Sequence, residues 1–199
     1  MKFTKRETKD LFFAGIMISL AFAILLSGGL STLTEIGGVG FFIVFVIAFF
    51  TAGIGFLLHE LMHKYVAQKY NLFAEFRASY KMLWLAIAFS FFGFIFAAPG
   101  AVYIHGFITK ERNGKISLAG PMTNIVLALI FLICIFVFNT NEMLSVLFSF
   151  GLTINSLLAA FNMIPAMPFD GAKIIAWDKK FYWITLILGI GLFVLSFFV

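Results

Sequence analysis

Charged residues are scarce in this sequence. Asp, Glu, Lys and Arg make up 12% of its 199 residues, whereas 62% are hydrophobic and 29 are Phe. A soluble domain of this length does not need so much apolar surface, and the apolar residues form separate runs that are each about long enough to cross a hydrocarbon core of roughly 30 Å. The composition predicts an all-α polytopic membrane protein whose residues 1–199 form a single membrane-embedded domain.

Cysteine is almost absent as well. The single Cys134 lies inside an apolar run, which excludes disulfide bonds and Cys-rich zinc sites. A cleavable signal peptide is not indicated either, because no clear small-residue cleavage pattern follows the first apolar run, which begins near Leu11. We interpret this run as a retained membrane helix.

Five long apolar runs are typical of membrane-spanning helices. A sixth run, Met82 to Ile104, is long enough to span, but Gly93 and the Pro99-Gly100 pair interrupt it, and AVYI is typical of a short strand. We therefore expect five to six transmembrane helices, with a short re-entrant or β element between the second and third spanning helices. The five clear runs are residues 11–28, 41–63, 118–138, 144–164 and 181–198.

The positions of the basic residues discriminate between these topologies. All fourteen Lys and Arg residues lie in the first ten residues or in segments 64–81, 110–115 and 173–180. If the run 82–104 enters the membrane and returns, all four segments lie on one side, which the positive-inside rule identifies as the cytoplasm. We therefore favour a multi-pass protein of the cell membrane with a cytoplasmic N-terminus. Because this distribution also explains the net charge of +5, we expect no nucleic-acid binding.

The stretch GFLLHELMHKYVAQ, residues 55–68, ends the second apolar run. Its HELMH segment is an H-E-x-x-H pattern, in which His59 and His63 share one face of a helix and can bind one metal, while Glu60 can reach a water there. A merely polar helix end is the alternative. Ionisable groups in a membrane segment are costly, however, so this spacing favours a metal site.

A hydrolytic zinc site usually has three protein ligands, and the residues leave the third one open among His105, Glu111 and an aspartate further on. Asp170, in NMIPAMPFDGAK, is the best candidate. With a re-entrant segment 82–104, Asp170 and the histidines lie at the same cytoplasmic end. A crossing segment would separate them by about 30 Å, whereas zinc–ligand bonds are about 2 Å long.

Three motifs together resemble the site-2 protease family of intramembrane zinc metalloproteases. They are HELMH at 59–63, LAGPMTN at 118–124, which is similar to the family's A-G-P-x-x-N helix start, and NMIPAMPFDG at 162–171, which is similar to its N-x-x-P-x-x-P-x-D-G element. The motifs occur in the family's order and span most of the chain. The sequence departs from the family in having Ala172 in place of the second glycine of D-G-G, and in a longer and more apolar re-entrant segment.

The resemblance implies a metal centre and an activity. His59, His63 and Asp170 would bind one Zn²⁺ per chain, and Glu60 would be the catalytic general base and acid. The expected reaction is hydrolysis of peptide bonds within or next to transmembrane segments of membrane-protein substrates.

The resemblance also implies a membrane-associated β element with an edge strand for an unwound substrate. Gly100 to Ile104 is the nearest candidate, with Gly100, Ala101 and Val102 as substrate-binding residues. Asn124 and Asn162 are candidates for holding the substrate backbone or the developing oxyanion. Helix capping or interhelical hydrogen bonding explains both asparagines equally well.

Two other function classes remain open at this point. A metal-ion or proton transporter could use the same His, Glu and Asp residues along a pathway, although such proteins often have inverted repeats and midplane sites, which this sequence lacks. A catalytically silent membrane scaffold is the third possibility. The expected partners are the lipid bilayer and transmembrane protein substrates, and the sequence does not define an oligomeric state.

Overall fold

A computed structural model describes residues 1–95, 99–138 and 142–199, which are mostly helical. In chain order the elements are α1 (Lys5–Leu26), a 3₁₀ turn (Gly29–Ser31), α2 (Leu33–Ala48), a π-helical turn (Phe49–Gly53), α3 (Ile54–Lys69), β1 (Phe73–Ala78), α4 (Tyr80–Ser90), β2 (Gly100–His105), α5 (Lys110–Val137), α6 (Glu142–Asn162), α7 (Asp170–Trp177) and α8 (Lys179–Leu195).

Four helical segments of the described chain are long and apolar enough to cross a membrane. They are Lys5–Leu26, Glu35–Lys69, Lys110–Val137 and Glu142–Asn162, and they match the first four of the five clear apolar runs. The helix α8 covers the fifth run, but its 17 residues make it shorter than these four. The predictions of a mainly helical fold and of helices that are long and apolar enough to span a membrane are confirmed, and the number of spans stays a prediction.

The region between the second and third of these segments contains the predicted β element. A two-stranded sheet pairs β1 with β2, and β2 includes the AVYI stretch that predicts a strand. The helix α4 between them has 11 residues, about 16 Å at 1.5 Å per residue, which is too short for a core of roughly 30 Å. The strand β1 was not predicted. Residues 96–98 of the predicted segment 82–104 lie outside the described residues.

The described chain divides into two compact units. The first comprises Met1–Leu57 and Glu75–Tyr103, and the second comprises Leu58–Ala74 and Ile104–Val199. The expectation of a single domain over residues 1–199 stays a prediction.

In the first unit, α1 packs against α2, the π-helical turn and α4. Gly53 permits this approach, because a Cβ atom there would overlap the Ser19 side chain and lie 3.3 Å from the Gly15 carbonyl oxygen. The buried apolar side chains between α1 and α4 are Ala21, Ile24, Ala86 and Ile87.

In the second unit, α5 packs against α6 and α7, and α8 packs against α6 and α7. One apolar cluster lies among α5, α6 and α8, and includes Ile125, Leu152 and Leu192. A second contains Met163, Ile174 and Tyr182, and it fixes the loop after α6 and the helix α7. This packing holds α7 and the N-terminal half of α5 in place.

Candidate metal centre

The two histidines of HELMH lie side by side in α3. They are four residues apart, so they occupy the same face of the helix, and both are buried, with 4% and 7% of the surface of His59 and His63 exposed. Their Nε2 atoms are 3.0 Å apart. The helix therefore presents two imidazole nitrogens to one point.

Asp170 supplies the third atom at this point. Its Oδ2 lies 3.4 Å from His59 Nε2 and 3.0 Å from His63 Nε2. Asp170 is the first residue of α7. Gly171 lets the chain pass closely beside the end of α6, because a Cβ atom there would overlap the backbone carbonyl of Met163.

The outer nitrogens of both imidazoles are fixed by α5. His63 Nδ1 lies 2.8 Å from the Ile116 carbonyl oxygen, and His59 Nδ1 lies 2.6 Å from Asn124 Oδ1. A carbonyl oxygen can only accept, so each Nδ1–H donates and, in a neutral ring, each Nε2 keeps its lone pair. Fixing the tautomer in this way is how proteins orient metal-binding histidines.

The other carboxylate oxygen of Asp170, Oδ1, is held by a lysine side chain. Lys173 Nζ, one turn further along α7, lies 3.3 Å from Asp170 Oδ1. Burial by itself would raise the pKa of Asp170, but the positive charge and the Nε2–H donors that the His63 and His59 rings have when both are protonated outweigh this effect and hold the pKa well below its ordinary value. The carboxylate therefore stays ionised beside the imidazoles.

Gly120 of α5 borders the same point. A Cβ atom on this residue would lie 2.5 Å from His59 Nε2 and closer still to His63 Nε2, whereas ordinary van der Waals contacts are longer than 3.4 Å. Only glycine leaves this side of the centre open. Two imidazole nitrogens and one carboxylate oxygen form a usual ligand set of catalytic zinc, so the residues present fit the metal that the sequence predicts.

Glu60 follows His59 in α3 and is also buried, with 8% of its surface exposed. Its carboxylate interacts electrostatically with His59, Asp170 and Lys173. A carboxylate next to a metal centre, carried by the same helix as two ligands, is suited to proton transfer.

The structure distinguishes Asp170 from the other two candidates for a third ligand. In the described ranges, the grouping of His, Cys, Asp and Glu side chains that could hold a metal is His59, His63 and Asp170. His105 is exposed on β2, where its ring tilts against Phe73 at 5.8 Å. Glu111 is exposed on α5 and pairs with Lys115.

The predicted substrate-binding residues lie in different environments. Asn124 is fully buried and contacts His59, whereas Asn162 is half-buried and its Nδ2 donates to the Leu158 carbonyl at 2.9 Å. Gly100, Ala101 and Val102 begin β2.

Three contributors to the centre were not predicted as such: Gly120, Lys173 and Asn155, which contacts Asn124. Two of them had a sequence signal, since Gly120 belongs to the LAGPMTN motif and Asn155 is an amide inside an apolar helix.

This centre defines the class of the protein. Zinc metalloproteases bind their metal through an H-E-x-x-H helix and a further side chain, with the glutamate beside the metal, and here that centre belongs to a chain with helices apolar enough to span a membrane.

Comparison with known proteins leads to the same class. A protein of Methanocaldococcus jannaschii with the provisional name of zinc metalloprotease is 48% identical over 143 residues, which are 71% of this chain and 74% of that protein. A second protein of this organism, named zinc metalloprotease, is 32% identical over 134 residues, which are 67% of this chain and 34% of that protein. The chain belongs to this family of zinc metalloproteases. No family model and no solved structure matches it.

Proposed function

We propose that the protein is an intramembrane zinc metalloprotease of the site-2 protease type, which hydrolyses peptide bonds within or next to transmembrane segments of other membrane proteins. The carrying observation is that His59, Glu60 and His63 belong to a helical segment, Glu35–Lys69, that is long and apolar enough to cross a membrane. A protease whose ligands are built into such a helix acts on bonds at the level of the membrane.

The position of the centre along this segment supports access for water. The apolar run begins at Phe41, and His59 lies 18 residues further on, which corresponds to about 27 Å of helix, most of a hydrocarbon core of roughly 30 Å. The centre is therefore near the polar end of the segment.

Each residue of the centre has a role in the proposed reaction. His59, His63 and Asp170 would hold one zinc ion, which when bound would supply Lewis-acid activation of water and of the scissile carbonyl. Glu60 takes the proton that the attacking water loses. It then delivers a proton to the leaving amine nitrogen as the peptide C–N bond breaks.

The small sheet supports strand addition as the mode of substrate binding. In a transmembrane helix all amides are paired internally, so the substrate must unwind and its freed amides need new partners, which a strand edge provides. On β1, the Phe76 N–H donates to Glu7 Oε1 at 2.9 Å, so a carboxylate covers part of that edge. We therefore propose that the substrate pairs with β2 at Gly100, Ala101 and Val102.

The test of the proposed function is cleavage of a model transmembrane substrate by purified protein in detergent. Glu60→Gln should retain zinc and lose activity by about 10²–10⁴-fold, the usual contribution of general acid–base catalysis. His59→Ala should lose zinc and activity together. A transporter would instead show metal or proton flux and no cleaved peptide, and cleavage by Glu60→Gln at near the wild-type rate would reject the mechanism.

We further propose that the N-terminus and the metal centre face the cytoplasm. The approach of Asp170 to the histidines supports this topology, because the two membrane-spanning helices α5 and α6 between them return the chain to the same side.

In a Cys134→Ala background, single cysteines replacing Lys69, Lys110 and Lys179 should react with an impermeant thiol reagent only from the cytoplasmic side. A Gly37→Cys variant should react only from the other side. Labelling of positions 69 and 110 from opposite sides would reject the topology.

A further inference from the structure

A chain of buried amides connects the metal centre to the middle of α6. Asn124 Oδ1 lies 2.6 Å from His59 Nδ1, and Asn124 Nδ2 donates to Asn155 Oδ1 at 3.0 Å. Asn155 Nδ2 in turn donates to the Gly151 carbonyl at 2.9 Å. Both asparagine side chains are fully buried, so water does not compete for these bonds.

The directions of these three hydrogen bonds follow from the bond to the Gly151 carbonyl. The Gly151 carbonyl can only accept, so the Asn155 amide nitrogen must face it and the Asn155 oxygen must face Asn124. That oxygen selects the amide nitrogen of Asn124, which turns the Asn124 oxygen towards His59. A proton on His59 Nδ1 is then required, and Nε2 is left with its lone pair for a metal.

We infer that Asn155 is a positioning residue of the metal centre, which acts on His59 through Asn124. Without the Asn155 oxygen, the Asn124 amide loses the acceptor that favours its present orientation, and the opposite orientation, with its nitrogen towards His59, becomes less unfavourable. His59 Nδ1 would then have to accept, and the proton would move to Nε2, where it blocks the metal. The inference rests on the proposed function only in assuming that a metal binds at this centre.

The surroundings of Asn155 offer variants that separate this role from simple packing. Ser156 and Thr153, also on α6, donate to carbonyls four residues earlier, at 2.8 and 2.9 Å. A serine at 155 can therefore keep the bond to Gly151 while being too short to reach Asn124. A protonated aspartic acid has the shape of asparagine and can make both bonds.

The experiment measures zinc affinity of the full-length protein in detergent by competition with a chromophoric chelator. Loss of an outer partner of a metal ligand typically costs about 10–100-fold in metal affinity, and we expect this for Asn124→Leu. Asn155 is one hydrogen bond further from the metal ligand His59 than Asn124 is. We therefore expect Asn155→Ser to lower zinc affinity about three- to tenfold. Asn155→Asp should stay within about twofold of wild type, since a neutral carboxyl restores both hydrogen bonds.

A double variant tests whether Asn155 acts through Asn124. In the Asn124→Leu background, adding Asn155→Ser should cause no further loss of zinc affinity, because coupled positions are not additive. The matched control is Ser156→Ala, which removes a buried bond of the same kind next to Asn155 and should bind zinc as wild type does.

Three results would overturn the inference: wild-type zinc affinity in Asn155→Ser, additive losses in the double variant, or an equal loss in Ser156→Ala. The proposed function is tested separately by cleavage. A protein that cleaves its substrate but binds zinc independently of Asn155 refutes only the positioning role. A protein that never cleaves, yet loses zinc affinity in Asn155→Ser, refutes only the protease.

Discussion

Buried ionisable side chains occur in both units of the protein, but their bonds point in different directions. In the first unit, the buried Asp10 accepts from the Tyr80 hydroxyl at 2.8 Å and lies 3.8 Å from Arg77 Nη1. Glu7, one turn earlier on α1, accepts from the Phe76 N–H. The oxygens that these contacts involve face donors, so this cluster joins α1 to β1 and α4.

In the metal centre the arrangement is reversed. The outer atoms of His59, His63 and Asp170 carry the bonds to Asn124, Ile116 and Lys173, while Nε2, Nε2 and Oδ2 face one another. Three acceptor atoms directed at one point are stabilised by a cation. Burial of charge is therefore common to both regions, and the direction of the acceptor atoms distinguishes the candidate site from the structural cluster.

Among the variants that test this comparison, Gly120→Ala is expected to have the largest effect, a loss of zinc affinity. The added methyl group would occupy the space beside both Nε2 atoms, so zinc affinity should fall by more than the roughly 100-fold upper range for outer partners. The helix itself should tolerate the change, because alanine favours helix over glycine by about 0.8–1.0 kcal/mol. Zinc titration together with circular dichroism checks both expectations.

Gly191→Ala in α8 is the matched control, since among the described residues, apart from the nearby backbone of α8 itself, no heavy atom lies within 4 Å of a Cβ atom there. It should bind zinc as wild type does. One bound zinc per Gly120→Ala chain at unchanged affinity would show that the metal does not lie between these imidazoles.

The parts of the site that the sequence predicts are those with a local signature. HELMH places two histidines on one helix face through the α-helical period alone, and the distribution of basic residues favours a topology that brings Asp170 to the same side. The remaining parts depend on contacts between distant segments. The Ile116 carbonyl has no side-chain signature, and the space at Gly120 becomes apparent only when α5 lies against α3.

In the first unit, too, contacts between distant segments determine a part of the fold that the sequence pattern does not predict. The first apolar run predicts a helix that begins near residue 11, whereas α1 begins at Lys5. Glu7 and Asp10 belong to this additional part of the helix and are buried against the β1–α4 region, which a one-dimensional pattern of charges does not reveal.

An intermediate effect, confined to stability, is expected from Glu7→Ala. The variant leaves the Phe76 N–H without its carboxylate, and an unpaired buried donor costs about 1–3 kcal/mol. The loss should appear in thermal unfolding in detergent, while zinc affinity should not change, because the contacts described for this cluster join α1 to β1 and α4. Glu35→Ala, at an exposed position of α2, is the control and should be nearly neutral. A parallel loss of zinc affinity in Glu7→Ala would show that the two clusters are coupled.

The smallest effects are expected at the two residues that compete with Asp170 as third ligand in the sequence. Both are exposed, and Glu111 pairs with Lys115 at 2.5 Å, so Glu111→Gln and His105→Gln should leave zinc affinity within about twofold of wild type, as for most surface substitutions. Asp170→Ala, measured in parallel, should lower zinc occupancy sharply, because it removes one of three ligands. Retention of zinc in Asp170→Ala, combined with its loss in either exposed variant, would transfer the third ligand to that residue. That result would also mean that the direction of buried acceptor atoms does not distinguish the metal centre from the structural cluster. An exposed side chain, with contacts directed away from the histidines, would then be a metal ligand.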